Sequence, residues 1–377
     1  MWKAMKEIIR NEPIDMQSMS DHQAHTLDPI LRLFLEHTYE AIVDAGINPV
    51  QLNQKNVATI VATSMLESQE AFLYRDWQIN SLNIVGCSKT TVANLITYWL
   101  DLKGSSYLVD TACSASLYAI TLAYNIITSG RCESAIVAAG NLCLQSTPTR
   151  QFSRLGVLSP TGYCRPFDVN ANEYCRSETV SVIYLQTAKH TKRIYVLCKH
   201  ITINSDRYKE KGITFLSEIM QTRLLTEFYQ HCDISPTNAL KRTVPAQKPE
   251  ILKTPLWIGS VKSNLGHAEP ASDMNQIAKA IIAMETGFIP AMINFTLPQE
   301  DIESLKNGSV RVVTEPTRLT NGFISMNSFG FGGANSHMLL QWNRKKKTNN
   351  GAPNDDFPRL VPVSGRTEES VKSFLKD

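Results

Sequence analysis

The stretch Ser106-Tyr-Leu-Val-Asp-Thr-Ala-Cys-Ser-Ala-Ser116 decides the fold, because a short strand passes directly into a cysteine and an apolar helix that ends near Gly130. Ser134-Ala-Ile-Val-Ala-Ala139 predicts the next strand, and the β-branched run Val57–Thr63 predicts a buried strand before it. Strands and helices therefore alternate along this part of the chain. The alternation predicts an α/β layered fold with a buried sheet.

The same patterns extend outward from this stretch in both directions. They predict helices at Asp28–Gly46, at Ser88–Lys103 with Ser88 as N-cap and Gly104 as the stop, at Glu218–Tyr229 and at Asp273–Thr286, and strands at Thr179–Leu185, Tyr195–Ile203, Leu256–Val261, Ser309–Val313, Gly322–Met326 and Met338–Trp342. The segment Ser235–Pro255 is rich in Pro, Lys, Thr and Gln, so we expect a loop there.

Composition excludes several classes of protein. The chain has 377 residues, of which 43% are hydrophobic and 19% charged, which is enough apolar material for a large core and too much for global disorder. With 38 Lys and Arg against 35 Asp and Glu, the net charge is only +3. Neither nucleic acid nor an anionic membrane is therefore an expected partner.

The sequence predicts a cytoplasmic location. Its apolar stretches are too short for a membrane span, and the first residues lack the continuous apolar segment of a signal peptide. The eight cysteines stand at irregular spacings without a CxxC pair, which is typical of reduced thiols in a cytosolic protein.

Cys113 is the first candidate for chemistry. It lies where a strand passes into a helix, and small residues flank it on both sides. A thiol at a helix N-terminus lies near the positive end of the helix dipole, which favours the reactive thiolate. The alternative is a buried structural cysteine, since Cys is among the most buried residue types.

Two more segments carry candidate residues. Gly259-Ser-Val-Lys-Ser-Asn-Leu-Gly-His267 would present Lys262 and His267 at the end of a sheet, and His is a natural partner for a thiolate, although a lone His is more often structural. Asn327-Ser-Phe-Gly-Phe-Gly-Gly-Ala-Asn335 contains Gly330, Gly332 and Gly333. It leads into a strand, whereas a phosphate-binding glycine loop opens a helix. Close backbone packing, or amides directed at a bound oxygen, is the better interpretation.

Taken together and in this order, Val109–Ser116, Ser260–His267 and Asn327–Asn335 strongly resemble the β-ketoacyl synthase family. Tyr39-Glu-Ala-Ile-Val-Asp-Ala-Gly46, Phe167-Asp with Tyr174-Cys-Arg-Ser-Glu178, and Pro358-Arg-Leu-Val-Pro-Val-Ser-Gly-Arg366 look more narrowly like the ketosynthase region of animal-type fatty acid synthase, with polyketide synthases close behind.

The resemblance implies a thiolase-like fold of two similar halves in alternating helix and sheet layers, here with a truncated N-terminal part. It divides the chain into a divergent segment 1–25, an N-terminal half 26–200 with Cys113, a C-terminal half 201–342 with His267 and the glycine loop, and a linker 343–377 toward an acyltransferase region. It also implies a homodimer.

The implied reaction is the decarboxylative condensation of an acyl thioester on Cys113 with malonyl-carrier protein. Cys113 would be the nucleophile, His267 would polarise the malonyl thioester carbonyl, and Lys262 would be the supporting cation. The backbone amides of Cys113 and Phe331 would form the oxyanion hole. No metal and no directly bound cofactor is implied; acyl carrier protein would present the acyl and malonyl thioesters on its phosphopantetheine.

The sequence departs from the family pattern in ways that predict impaired turnover. No histidine occurs between His231 and His267, where the family carries a second catalytic histidine and an acid that holds the lysine. Glu173 and Asp273 stand where the family has glycine, so any position that needed positive φ would be strained. The alternative is therefore a degenerate ketosynthase-like module that only dimerises or docks carrier protein. A Cys-His hydrolase is a further alternative with no other support.

Overall fold

The computed structural model describes residues 26–75, 81–232, 255–319 and 322–343. The predicted divergent segment 1–25, the predicted loop over 235–254 and the linker from 344 onward lie outside these described residues.

The described chain alternates helices and strands as the sequence predicts. The helices are α1 Pro29–Asp44, α2 Ser81–Cys87, α3 Thr91–Trp99, α4 Ala115–Thr128, α5 Ser146–Leu155, α6 Glu218–His231, α7 Lys262–Leu265, α8 Ser272–Thr286 and α9 Glu303–Lys306. The strands are β1 Val57–Ala62, β2 Ser106–Val109, β3 Ser134–Asn141, β4 Thr179–Gln186, β5 Val196–Ser205, β6 Leu256–Ile258, β7 Phe288–Ile289, β8 Val310–Val312, β9 Thr317–Arg318, β10 Phe323–Phe329 and β11 Ala334–Trp342.

The first sheet has the strand order β2-β1-β3-β4. Strands β1, β2 and β3 are parallel, and β4 pairs antiparallel with β3. Every residue of β1 and β3 is buried, as expected for parallel strands covered on both faces. The carboxyl end of β2 is the edge from which the chain reaches Cys113, so this sheet positions the nucleophile candidate.

The second sheet has the order β10-β11-β5 and is antiparallel throughout. Between the two sheets lie α4 and α8, whose apolar side chains share one buried cluster with residues of both sheets. Ile60 and Val137 face this cluster from the first sheet, whereas Met326 and Met338 face it from the second. The Cys113 helix is thus buried in the centre of the fold.

Outer helices cover the remaining faces of the two sheets. Phe34 of α1 and Ile96 of α3 pack with the opposite side chains of the first sheet, such as Val61. Phe228 of α6 packs on Leu339 of the second sheet. The order is therefore helix, sheet, helix, sheet, helix, which is the alternation of layers that the resemblance implies. Among the described residues, no helix is long and apolar enough to cross a membrane.

Several predicted elements differ in extent from the structure: β11 begins at Ala334 instead of Met338, and β10 ends at Phe329 instead of Met326. The helix expected over Ser88–Lys103 is shorter: α3 begins at Thr91 and ends at Trp99. Gly104 does not stop it, because a Cβ at Gly104 would lie 2.0 Å from the Val57 carbonyl oxygen, so this glycine serves a close backbone approach. The strand expected over Leu256–Val261 ends at Ile258, and α7 begins directly after Val261.

Candidate active site

Cys113 lies in a sharp turn between β2 and α4. Ala112, the residue before it, has a left-handed φ of 53°, which a residue with a Cβ adopts only under constraint. Asp110 helps to fix the turn, since its Oδ1 accepts hydrogen bonds from the Ala112 amide at 3.2 Å and from the Ser64 hydroxyl at 2.8 Å. The strand and helix thereby hold Cys113 at a partly exposed position in the centre of the fold.

Two serines from distant parts of the chain hold the Cys113 backbone. The Ser272 hydroxyl at the start of α8 donates to the Cys113 carbonyl oxygen at 3.3 Å, and the Ser328 hydroxyl of β10 donates to the same oxygen at 3.0 Å. The cysteine turn, the segment after His267 and the strand before the glycine loop therefore meet at one point. Sequence analysis assigned no role to either serine.

The glycine loop is a tight turn between the antiparallel strands β10 and β11. Gly330 donates its amide to the Ala334 carbonyl at 2.7 Å, and Gly333, with a φ of 90°, donates to the Gly330 carbonyl at 2.8 Å. A Cβ at Gly330 would lie 2.5 Å from the Thr111 carbonyl oxygen, so the loop packs directly on the cysteine turn. At Gly332 a Cβ would meet open space. The loop precedes a strand, as expected, and close backbone packing accounts for Gly330.

The Phe331 backbone amide is directed at the Cys113 side chain, where it stabilises the thiolate. The pairing of the Cys113 and Phe331 amides around a bound oxygen stays a prediction. Phe331 itself is exposed, at 44% of its surface.

The balance of charges at Cys113 is opposite to the one that the helix dipole alone would give. Burial raises the pKa of the Cys113 thiol; Lys262 lowers it, and Asp273 and Glu269 raise it. The net direction is upward, so the resting side chain is a protonated thiol at neutral pH. The sequence predicted a dipole-stabilised thiolate because it revealed neither the burial of the thiol, which is the largest effect on its pKa, nor the two nearby carboxylates.

His267 is only 3% exposed and lies beside the Tyr174 ring, edge to face, with ring centroids 4.9 Å apart. Two backbone hydrogen bonds join His267 to the residues on either side of Arg176. The His267 amide donates to the Cys175 carbonyl at 2.8 Å, and the His267 carbonyl accepts from the Ser177 amide at 3.0 Å. Burial, followed by the charge of Lys262, lowers the pKa of His267 well below its ordinary value. The imidazole is therefore neutral, and its Nδ1 has no hydrogen-bond partner among the described residues.

Lys262 is a cation whose charge lowers the pKa of both Cys113 and His267. It is the first residue of α7, and its charge acts on Cys113, His267 and Asp273. No carboxylate of the described part of the chain forms an ion pair with it. A cavity of about 400 Å³ opens beside Lys262, between β6, β10 and α8, but neither Cys113 nor His267 lines it.

A buried ion triad supports the His267 segment. Nε of Arg176 lies 2.6 Å from Oε1 of Glu269, and Nη2 lies 3.1 Å from Oε1 of Glu67. The Arg176, Glu67 and Glu269 side chains are each less than a tenth exposed. Glu269 stands two residues after His267 and has a left-handed φ of 46°. Sequence analysis missed this triad, because its members lie far apart in the chain and only the fold brings them together.

Glu173 and Asp273, which stand where the family has glycine, differ in backbone conformation. Glu173 has a φ of 82°, so it occupies a left-handed conformation and the expected strain is present. Asp273 lies in the first turn of α8 without positive φ, so the condition for strain is not met there. Its side chain is instead completely buried against α4. No group of described residues could hold a metal ion.

Comparison with known proteins shows which family this chain is similar to. Residues 2–191 match the family model described as beta-ketoacyl synthase, N-terminal domain, residues 233–296 match its C-terminal domain, and residues 298–377 match the ketoacyl-synthetase C-terminal extension. Fatty acid synthase of Anser anser anser is 41% identical over 281 residues, which cover 70% of this chain and 80% of that protein. The hybrid PKS-NRPS synthetase pyvA of Aspergillus violaceofuscus is 31% identical over 93% of this chain and 10% of its own length.

Solved structures show the same architecture. The ketosynthase from module 6 of the bacillaene synthase of Bacillus subtilis superposes with a TM-score of 0.75 at 27% identity. An oxazolomycin ketosynthase domain of Streptomyces albus superposes with a TM-score of 0.78 at 23% identity, a likeness of fold alone. Each comparison covers 87% of this chain and 62% of the solved one.

Proposed function

The chain belongs to the β-ketoacyl synthase family, as a ketosynthase of the fatty acid synthase and polyketide synthase type with a thiolase-like fold, and we propose that Cys113 carries its acyl intermediate. The observation that carries the proposal is the convergence on Cys113 of the Phe331 amide, the Lys262 charge and the two serines that hold its backbone.

In the first step the Cys113 sulfur attacks the acyl thioester on the phosphopantetheine of acyl carrier protein. The new bond joins the acyl carbon to Cys113, the old thioester bond breaks, and the carrier leaves as a free thiol that takes the proton of Cys113. The Cys113 and Phe331 amides stabilise the oxyanion that forms on the acyl oxygen, a contribution that depends on fixed donors in a site protected from water.

In the second step malonyl-carrier protein loses carbon dioxide. The electron pair of the broken bond passes into the thioester, and the resulting enolate attacks the acyl carbon on Cys113, which releases the thiolate and the β-ketoacyl product. His267, neutral at all but acidic pH, donates a hydrogen bond to the enolate oxygen, and Lys262 stabilises its negative charge.

A degenerate module is the second candidate, favoured by two observations. The sequence has no histidine between His231 and His267 that could stabilise the enolate oxygen together with His267. Loss of one such hydrogen-bond donor lowers the rate roughly a hundredfold or more. Asp273 and Glu269 also oppose formation of the Cys113 thiolate. Such a module would accept an acyl group but would not decarboxylate malonyl-carrier protein.

A condensation assay separates the two candidates. Acyl-loaded protein is mixed with malonyl-carrier protein, and carbon dioxide and β-ketoacyl-carrier protein are quantified by mass spectrometry. We expect Cys113-dependent product at a slow rate, with Cys113→Ala as the inactive variant and Cys232→Ala as the matched thiol control. Acylation without any carbon dioxide would establish the degenerate module and reject the condensing enzyme.

The organisation of the chain forms part of the same proposal. We place the two halves at 26–200 and 201–342, between the divergent segment 1–25 and a linker at 343–377, and propose a cytoplasmic homodimer that binds acyl carrier protein. Light scattering of the purified chain would test the dimer, and a monomer at all concentrations would reject it.

A further inference from the structure

Asp273 is a buried carboxylate that the proposed reaction does not use. Its Oδ2 accepts hydrogen bonds from the Ser116 hydroxyl at 3.0 Å and from the Leu117 amide at 3.1 Å, and its Oδ1 accepts from Nε2 of Gln276 at 2.9 Å. The residue has no exposed surface. A carboxylate so placed has exchanged its hydration for a small number of fixed donors, which makes its position in the fold specific.

The Leu117 amide is one of the unpaired donors in the first turn of α4, the helix that follows Cys113. Ser114, the N-cap residue of this helix, makes no side-chain cap; its hydroxyl donates to the Thr111 carbonyl at 3.0 Å instead. Asp273 therefore provides the missing cap from a different helix. An anion at this position receives both the hydrogen bond and the positive end of the α4 dipole.

We propose that Asp273 is a positioning residue that occupies the anion-stabilising end of α4, so that the helix no longer stabilises a thiolate on Cys113. The inference rests on Cys113 being the reactive thiol of the proposed function. Two anions at one helix end compete for the same partial charge. The first turn of α4 therefore stabilises the Asp273 carboxylate. Cys113 stays protonated until the pH rises above the pKa of its thiol, or until its proton passes to the leaving thiol of a thioester substrate.

Ser328 gives the two groups a direct structural connection. Its hydroxyl lies within hydrogen-bonding reach of the Asp273 carboxylate and also donates to the Cys113 carbonyl oxygen at 3.0 Å. Because one hydroxyl has a single proton, the Asp273 carboxylate and the Cys113 carbonyl compete for it.

The surrounding charges agree with this assignment. Burial raises the pKa of Asp273 to about 6, against the lowering effect of its hydrogen bonds and of Lys262, so the carboxylate is charged at pH 7 and above. Lys262 from α7 lowers the pKa of Cys113, whereas Asp273 from α8 and Glu269 raise it. Glu269 shares Arg176 with Glu67 in the buried ion triad, and His267 is uncharged, so Asp273 is the carboxylate of this group that has no ion-pair partner among the described residues.

The rate of Cys113 alkylation by iodoacetamide, followed from pH 5 to 10 by peptide mass spectrometry, tests the inference. In Asp273→Asn the side chain keeps its size and an acceptor oxygen but loses its charge. We expect the midpoint of the Cys113 profile to fall by about half a unit to one unit, with roughly three- to tenfold faster alkylation at pH 7. At pH 5, where Asp273 is mostly neutral in the wild type, the two proteins should react nearly alike.

Ser116→Ala is the matched control, because it removes a hydrogen bond to the same carboxylate and leaves the charge. Its midpoint should not fall. An unchanged midpoint in folded Asp273→Asn, or an equal fall in Ser116→Ala, would overturn the inference. Should Asp273→Asn not fold, the wild-type profile decides: we expect a Cys113 midpoint above the ordinary thiol value of about 8.5, and a midpoint at or below it would refute the assignment.

This experiment uses no acyl or malonyl thioester, so its outcome is independent of condensation. A shifted midpoint in a protein that never becomes acylated would remove the proposed function and leave the electrostatic role of Asp273 intact. Normal condensation together with a Cys113 midpoint that Asp273→Asn does not change would remove the electrostatic role of Asp273 and leave the proposed function intact.

Discussion

Replacement of Arg176 by methionine should destabilise the protein strongly, because it leaves Glu67 and Glu269 without their common cation. Methionine preserves most of the apolar length of the side chain, so the variant removes the guanidinium together with its charge, its hydrogen bonds and its contact with the Phe152 ring. The guanidinium of Arg176 donates to both carboxylates and, at 2.7 Å, to the Thr149 hydroxyl.

The magnitude follows from burial. The Arg176 side chain is 5% exposed, and its partners Glu67 and Glu269 are 1% and 9% exposed. Removing one member of a buried ion pair costs about 3–5 kcal/mol, since the remaining charge keeps its desolvation penalty without compensation. Arg193, which pairs with Asp44 at the surface, provides the matched control, and its replacement by methionine should cost less than about 1 kcal/mol.

Urea unfolding of the two variants and the wild type, followed by tryptophan fluorescence, measures the difference. We expect a much lower midpoint for Arg176→Met than for Arg193→Met, together with slower acylation of Cys113, because the chain around Arg176 brackets His267. Equal losses in the two variants would refute the view that the triad holds the site together.

Two other predictions concern single positions. Gly330→Ala would place a Cβ 2.5 Å from the Thr111 carbonyl and should lower both the thermal midpoint and the Cys113 acylation rate, whereas Gly332→Ala, which meets open space, should change neither; equal effects on acylation would contradict the packing argument. Asp168 accepts hydrogen bonds from the amide and hydroxyl of Thr296, and these and other hydrogen bonds outweigh burial and lower its pKa to about 2. The stability that Asp168 provides is therefore present above about pH 4 and is lost as the pH falls through 2, so the thermal midpoint of Asp168→Asn should depend less on pH in that window, and an identical dependence would contradict this assignment.

Much of the fold was predictable because its core strands and helices have strong local patterns. The β-branched runs of β1 and β3 and the apolar period of α4 predicted elements close to the observed bounds. The helix predicted up to Lys103 failed, because the role of Gly104 depends on its contact with Val57, which no local pattern contains.

The site was predictable only in part. Cys113, His267 and the glycine loop stand in short motifs, so the sequence predicted them as candidates, and the structure places the Cys113 turn and the loop in contact. The charged residues around these candidates come from distant parts of the chain. Arg176 and Glu67 lie beside the His267 segment only in the folded protein, and Asp273 contacts α4 because α8 packs against it. Such long-range contacts leave no signal in local sequence.

Whether Cys113 carries the acyl group is tested by the intact mass of the protein after incubation with an acyl-carrier protein thioester. We expect one added acyl group per chain, located on Cys113 by peptide mapping, absent from Cys113→Ala and present in Cys143→Ala. Acylation that persists in Cys113→Ala, or no adduct in a folded wild-type protein, would contradict this expectation.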